Sequence, residues 1–309
     1  MRAMQVPAWG AEIVEAEVAE PRPAADKVRV RVAAATVNPV DPVTAAGVFR
    51  ERFPEIQPPF VLGWDFAGTL LDDTDQADLK AGQRVIGMVP WFDEPSGSYQ
   101  EVLLAEPSWL APIPDTVDFI EAATLPLNAP TARQGLRLAA LRPGQTVLVS
   151  GASGGVGGFA VQAAVAAGAR VIAISSADDA DYVKTLGPAE VLPRTDWPAL
   201  RDQVKSLAPA GVDAVVDAGV AGPDLIEVVR DGGTFVNFSQ PAAPTPERGI
   251  RVELTHVIPD PVGLRRVVDD VATNGLKTRV ADVLPLSDAA RAHQRLHAGG
   301  FHGKIVLEV

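Results

Sequence analysis

The run TVLVSGASGGVGGFAVQAAVAAGARVIAIS, residues 146–175, constrains this chain more than any other stretch. Residues 146–150 form a short apolar strand, and a glycine-dense turn follows at 151–158. A helix of small residues comes next. Val156, Phe159, Ala160, Ala163, Ala164 and Ala167 recur near the 3.6 spacing of one helical face. Gly168 stands where a helix-ending glycine belongs, and residues 170–175 read as a second buried strand. Within the turn, Ala152-x-Gly154-x-x-Gly157 is a dinucleotide fingerprint with alanine at the first glycine position. Glycine lets the backbone turn sharply and approach a pyrophosphate with no Cβ in the way. The free N–H groups of the helix start, with their partial positive charge, then hold the diphosphate. Ala152, Ser153, Gly154, Gly155, Val156 and Gly157 are the predicted cradle.

The same residues also match G-x-S-x-G, the nucleophile elbow of serine hydrolases, with Asp217 and His293 following in chain order. That order is cheap in a long chain. The positions after Ser153 read Gly, Gly, Val, Gly, which an elbow does not need, and no H-G-G-G segment precedes them. A glycine-rich turn that serves packing alone is the third reading.

With 309 residues, the chain can bury a large core and is expected to form two domains. Its net charge of −12 repels nucleic acid and anionic membranes. It contains no cysteine, which excludes disulfides, thiolate catalysis and cysteine-ligated zinc. The start, MRAMQVPAWG, lacks the apolar core of a signal peptide, and no apolar run nears the roughly 18 residues of a membrane span. A cytoplasmic protein is the expectation.

Residues 1–118 read as turn-rich β structure. In KVRVRVA at 27–33, Val28, Val30 and Val32 share one face while Lys27, Arg29 and Arg31 share the other. Residues 94–98 read as a mobile loop before a strand beginning near Tyr99. From 119 to 255, helices and strands alternate, which implies a parallel sheet. Strands are expected at 189–192, 212–217 and 234–239, and helices at 180–186, 199–208 and 223–230. The proline-rich 240–246 reads as a loop. Residues 256–309 supply helices at 261–274 and 287–298 and a closing strand at 304–309, expected to return to the N-terminal domain and leave a cleft between the domains.

Several further segments carry a resemblance. Val37-Asn38-Pro39-Val40-Asp41, Gly63-Trp64-Asp65-Phe66-Ala67-Gly68, residues 125–132 (LPLNAPTA) and Gly303-Lys304-Ile305-Val306-Leu307 occur in order along the chain. With the fingerprint, they resemble the medium-chain dehydrogenase/reductase superfamily, in its zinc-independent quinone oxidoreductase branch. The resemblance implies an α/β protein: a GroES-like β domain plus a Rossmann domain with a doubly wound parallel sheet. It also implies a nicotinamide cofactor in the interdomain cleft, and a homodimer. Zinc-dependent members carry a cysteine near position 38 and a G-H-E turn; here Asn38 and Gly63-Trp64-Asp65 stand there, so no metal is expected.

Without a Lewis acid, the acceptor must become a tolerable anion on reduction, as a quinone or an activated enone does. Hydride transfer from NADPH to such a small molecule is the expected activity. A dedicated enoyl or enone reductase and a non-catalytic nucleotide-binding relative are the alternatives. By resemblance, Asn38 and Thr131 hold the nicotinamide ribose region, and Asp41 orients Asn38 or its loop; a plain turn-stabilising carboxylate is the competing reading. Val43 stands where relatives often carry a tyrosine, and Val43, Trp64 and Tyr99 are the candidate substrate wall, though buried core is the commoner fate of such aromatics. Phe238, near the end of the strand expected at 234–239, is assigned to the cofactor. Ser175 and Ser176 replace the carboxylate that would grip an NAD ribose, which favours the 2′-phosphate of NADPH over NADH. Asp178 and Asp179 argue the other way, and Lys184 is the nearest basic candidate. His293 and His297, four apart on a helix with no adjoining carboxylate, are expected on a solvated face.

Overall fold

The computed structural model describes residues 1–24, 26–74 and 79–309. The chain divides into two compact units, Met1–Leu127 with Ile258–Val309, and Asn128–Val257.

The second unit is built on a parallel sheet of six strands in the order Glu190–Pro193, Arg170–Ser175, Thr146–Ser150, Val212–Asp217, Val229–Asn237, Arg251–Leu254. Its central strands are near-continuous apolar runs because both faces are covered: Val147, Leu148, Val149, Val171, Ile172 and Ala173 are fully buried. The strand order reverses between Thr146–Ser150 and Val212–Asp217, the place where such sheets open a crevice at their carboxyl ends.

The helix Gly155–Ala166 follows the first of these strands, and Gly168 closes it in the left-handed conformation (φ 76°). Its buried face differs from the expected one. Gly157, Ala160, Val161 and Ala164 line it, with Gly158 and Phe159 beside them, whereas Ala163 is half-buried and Ala167, just past the last helical residue, is exposed. At Gly157 a side chain is sterically barred, since a Cβ would overlap the carbonyl oxygen of Gly151.

The helix expected at 223–230 is not formed. Residues Gly222–Val228 make a 3₁₀ segment, and the strand Val229–Asn237 begins where the helix was to end. Gly232, with φ 67°, lies inside this strand together with Gly233, where the pairing register with Val212–Asp217 shifts, so a glycine pair that looks like a turn is part of a strand. The strand Arg251–Leu254 at the sheet edge had no counterpart in the sequence reading.

The first unit carries a three-stranded sheet, Val14–Glu17, Arg2–Val6, Phe60–Val61, and a seven-stranded one. The latter runs Val280–Pro285, Lys304–Glu308, Val28–Val37, Asp65–Leu70, Arg84–Met88, Leu110–Pro112, with Val102–Ala105 also pairing to Val28–Val37. The alternation of Val28, Val30 and Val32 buries those valines while Arg31 stays exposed. The closing strand Lys304–Glu308 pairs antiparallel with Val28–Val37, matching Ile305 to Val37. Part of the stretch read as a mobile loop is core: Ser98 is buried, and the N–H groups of Gly97, Ser98 and Tyr99 donate to the carbonyls of Val61, Gly63 and Leu62. The strand after it starts at Val102.

The contact between Gly157 and Gly151 yields a comparison. Gly157→Ala forces the helix off the turn and lowers Tm by several degrees in a thermal melt followed by circular dichroism. Gly154→Ala, whose Cβ would lie 3.3 Å from the same oxygen, shifts it far less.

Candidate functional site

In the second unit, the helix Gly155–Ala166 starts at Gly154, which has no side chain to cap its first turn. Helix N-termini leave their first N–H groups without intrahelical partners, so an uncapped start at a switch point has the chemistry to receive an anion. This fits the diphosphate of a nicotinamide dinucleotide. Gly154 is exposed, while Ala152, buried, donates its N–H to Ile174 O and ties the turn to the second strand. Ser153, Gly155 and Val156 are half-buried. Beside the turn, Ser150 Oγ donates to Asp217 Oδ1 at 2.5 Å, and the N–H groups of Ala221 and Gly222 also donate to that carboxylate. Asp217 therefore braces two loops, with both of its carboxylate oxygens engaged by structural donors.

At the end of the second strand, Ser175 is buried and Ser176 Oγ donates to Asp179 Oδ2 at 2.8 Å. Asp179 is itself buried, so this carboxylate folds inward, while Asp178 is exposed. Lys184 is exposed and pairs with Asp181 at 2.9 Å. Another cation lies on the neighbouring strand's exit: Arg194, exposed, donates its backbone N–H to Ser175 O at 2.6 Å. The sequence reading missed it because Arg194 is 19 residues from Ser175, and only the parallel pairing of Ser175 with Pro193 brings them together. Thr131 and Gly135 lie one turn apart on the helix Leu125–Ala139, and a Cβ on Gly135 would come within 2.8 Å of the Phe238 ring. Phe238 is half-buried against that helix.

The first unit holds a buried polar network around residues 36–41. Asp41 opens the short helix Val40–Ala45, and its carboxylate accepts from Asn38 N–H (2.8 Å), Gly63 N–H (3.3 Å) and the Tyr99 hydroxyl (3.0 Å). Burial pushes the Asp41 carboxyl up to about 7, against the pull of those hydrogen bonds and of Lys304. Gly63, at φ 99°, could carry no side chain there without striking Ser98 and Tyr99. Asn38 is bonded at both ends: its Nδ2 donates to Asp65 Oδ1 at 3.0 Å, and its Oδ1 accepts from Lys304 Nζ at 2.5 Å. Thr36 Oγ1 also donates to Asp65 Oδ1, while Asp65 Oδ2 is buried with no partner. Burial raises the Asp65 carboxyl and lowers the Lys304 ammonium, each opposed by the other's charge.

Asn38, Asp41 and Tyr99 are thus brought together, in a site walled from solvent. Trp64 and Tyr99 belong to the core cluster; Trp64 and Phe92 form a T-shaped ring pair, and Trp64 Nε1 is buried without a partner. Val43, one turn along the helix from Val40, is 39% exposed and is the apolar residue that the helix offers outward. Lys304, Asp65 and Thr36 are the members that the sequence reading missed. Among the described residues, no group of three or more His, Cys, Asp or Glu could hold a metal ion.

The expected solvated histidine face is only half correct. His297 is exposed, but His293 turns inward, its ring centroid 6.0 Å from that of Tyr99 and its Nε2 buried without a partner. Burial lowers its imidazolium to about 4.

Two family models match the chain, and the second runs from the second unit into the C-terminal part of the first. Residues 24–115 match the alcohol dehydrogenase GroES-like domain, and residues 186–307 match the zinc-binding dehydrogenase family model. A 2-methylene-furan-3-one reductase from Solanum lycopersicum is 32% identical over 75% of this chain, which spans only 59% of that relative's length. The dehydrogenase pigH of Monascus ruber is 30% identical, with 83% of this chain and 75% of the relative covered. A chloroplastic quinone-oxidoreductase homolog from Spinacia oleracea is 28% identical over 100% of this chain and 98% of its own. Among solved structures, a mycobacterial protein complexed with NADPH superposes with a TM-score of 0.82 over the full length of both chains, at 27% identity. No helix among the described residues is long and apolar enough to cross a membrane.

The buried imidazole gives a pH signature. A histidine held neutral in the fold contributes stability above its unfolded pKa of about 6.5 and loses it as pH falls towards about 4. That window carries at most about 3 kcal/mol. Urea titrations from pH 7 to 4 should show His293→Leu flattening the decline while changing little at pH 7; an unchanged slope would contradict the assignment.

Proposed function

The chain belongs to the medium-chain dehydrogenase/reductase superfamily, and we propose that it is an NADPH-dependent reductase of quinones or activated enones. The observation that carries this reading is the uncapped helix start at Gly154, at the point where the strand order of the parallel sheet reverses. Bound NADPH would supply the hydride there. The first-turn amides of Gly155–Ala166 hold the diphosphate, and the inward turn of Asp179 withdraws one of the two carboxylates after the second strand, with Asp178 left exposed. Arg194, beside Ser175, is the cation we assign to the 2′-phosphate, ahead of Lys184, which already has Asp181.

The choice of acceptor follows from what the chain lacks. With no cysteine, and with the Asn38 amide bonded by Lys304 and Asp65, the position held by cysteine in zinc-dependent relatives offers no metal ligand. A simple ketone would yield a hard alkoxide, which needs a Lewis acid or a placed acid. A quinone or enone yields a phenolate or enolate instead, which water can protonate. The spinach and tomato relatives bear names of these two acceptor types, and a 2-methylene-furan-3-one is itself a conjugated methylene ketone. Asn38 and Asp41 shape the turn that leads to Val43, and Val43 supplies apolar surface for a flat acceptor. We place Thr131 and Phe238 on the cofactor side, the first on the helix Leu125–Ala139 and the second just past the end of the strand Val229–Asn237.

The reading is tested by following nicotinamide absorbance with a panel of benzoquinones, enones and simple ketones. Quinones or enones should turn over and ketones should not; ketone reduction at comparable kcat/KM would contradict the acceptor argument. Arg194→Ala should raise the KM for NADPH about tenfold while leaving that for NADH unchanged, and Lys184→Ala should alter neither by more than about twofold. Equal effects of Arg194→Ala on both cofactors would remove it from the 2′-phosphate.

A further inference from the structure

We propose that Lys304 is a positioning residue of this reductase, acting through the Asn38 amide to hold the turn 36–41 in one shape; the inference rests on the function proposed above. Lys304 enters from the last strand of the chain, 266 residues from Asn38, and both residues are buried. Its ammonium donates to Val37 O at 2.8 Å and to Asn38 Oδ1 at 2.5 Å.

The chemistry of the neighbours leaves the amide one orientation. An ammonium has donors and no acceptor, and an ionised carboxylate has acceptors and no donor. Asn38 Oδ1 must therefore face Lys304 and Nδ2 must face Asp65, because a flipped amide would set donor against donor and acceptor against acceptor. The backbone N–H of the same residue donates to Asp41 Oδ2, and Asp41 N–H donates back to Asn38 O at 3.0 Å. Fixing the amide thus fixes the start of the helix that presents Val43. Lys304 has a second task, since Asp41 and Asp65 place two carboxylates in the same buried site and the charge of the ammonium acts on both. A counter-charge alone would make Lys304 a stability element. The bond to Asn38 Oδ1 is what makes it a positioning one.

The two tasks separate experimentally. Lys304→Met removes charge and donor together, Lys304→Arg keeps both, and the double variant Lys304→Met with Asp65→Asn removes one charge of each sign while keeping an acceptor for Asn38 Nδ2. Each protein is measured for Tm, for NADPH affinity by calorimetry, and for kcat with the best quinone or enone. Lys304→Met should lower kcat by at least about tenfold with NADPH affinity within about twofold, because the diphosphate cradle lies in the other unit. Lys304→Arg should restore kcat to within about threefold of the wild type. The double variant should regain Tm and keep the low kcat, and it carries the test alone if Lys304→Met fails to fold. Recovery of kcat along with Tm in the double variant would reduce Lys304 to a counter-ion and overturn the proposal, as would a Lys304→Met protein with wild-type kcat. A wild-type protein that reduces neither acceptor class would sink the functional reading itself, and this proposal with it.

Discussion

One buried cation organises the first unit. Two carboxylates, Asp41 and Asp65, lie out of contact with water, and removing ionised groups from water is expensive unless each finds charge and hydrogen bonds. Asp41 is supplied by three donors, two of them backbone N–H groups, and Asp65 by Thr36 and Asn38. Lys304 supplies the positive charge, and it can do so only if the last strand of the chain lies against Val28–Val37. The return of residues 304–308 to the N-terminal sheet is therefore an electrostatic requirement as well as a way to bury Ile305, Val306 and Leu307.

The second unit follows a different principle. Its candidate site has almost no side chains in it. The turn at 151–155 presents main-chain amides, and glycine is needed where a Cβ would strike the backbone. Side chains act one layer out. Ser150 and Asp217 tie together the loops that follow the two strands flanking the reversal of strand order. The Ser–Asp–His order that suggested a hydrolase dissolves here, because Asp217 is occupied by structural donors and His293 is packed beside Tyr99 in the other unit.

What the sequence made legible was local. The strand Thr146–Ser150, the glycine turn and the helix after it could be read because their signals fall within a few residues of one another. The pairing of Asn38 with Asp41, which the resemblance implies, spans three residues. The illegible parts were relations across the chain. Lys304 meets Asn38 only through strand pairing, and Arg194 meets Ser175 only through a parallel register. His293 was misread because helical spacing shows which residues share a face without showing how far along the helix that face stays covered: His293 is packed on Tyr99, and His297, one turn later, is exposed. The missed strand start at Val229 has another cause, since Gly232 and Gly233 are turn residues by composition and strand residues by position.

The account stands on delivery of a hydride to a conjugated acceptor, and isotope transfer tests that most directly. The protein is incubated with NADPH carrying deuterium at the reactive carbon of the nicotinamide, together with an enone, and the product is analysed by mass spectrometry and NMR. The account predicts one deuterium at the β-carbon of the saturated ketone and a solvent-derived proton at the α-carbon. Deuterium on a carbinol carbon, from reduction of the carbonyl itself, would contradict it.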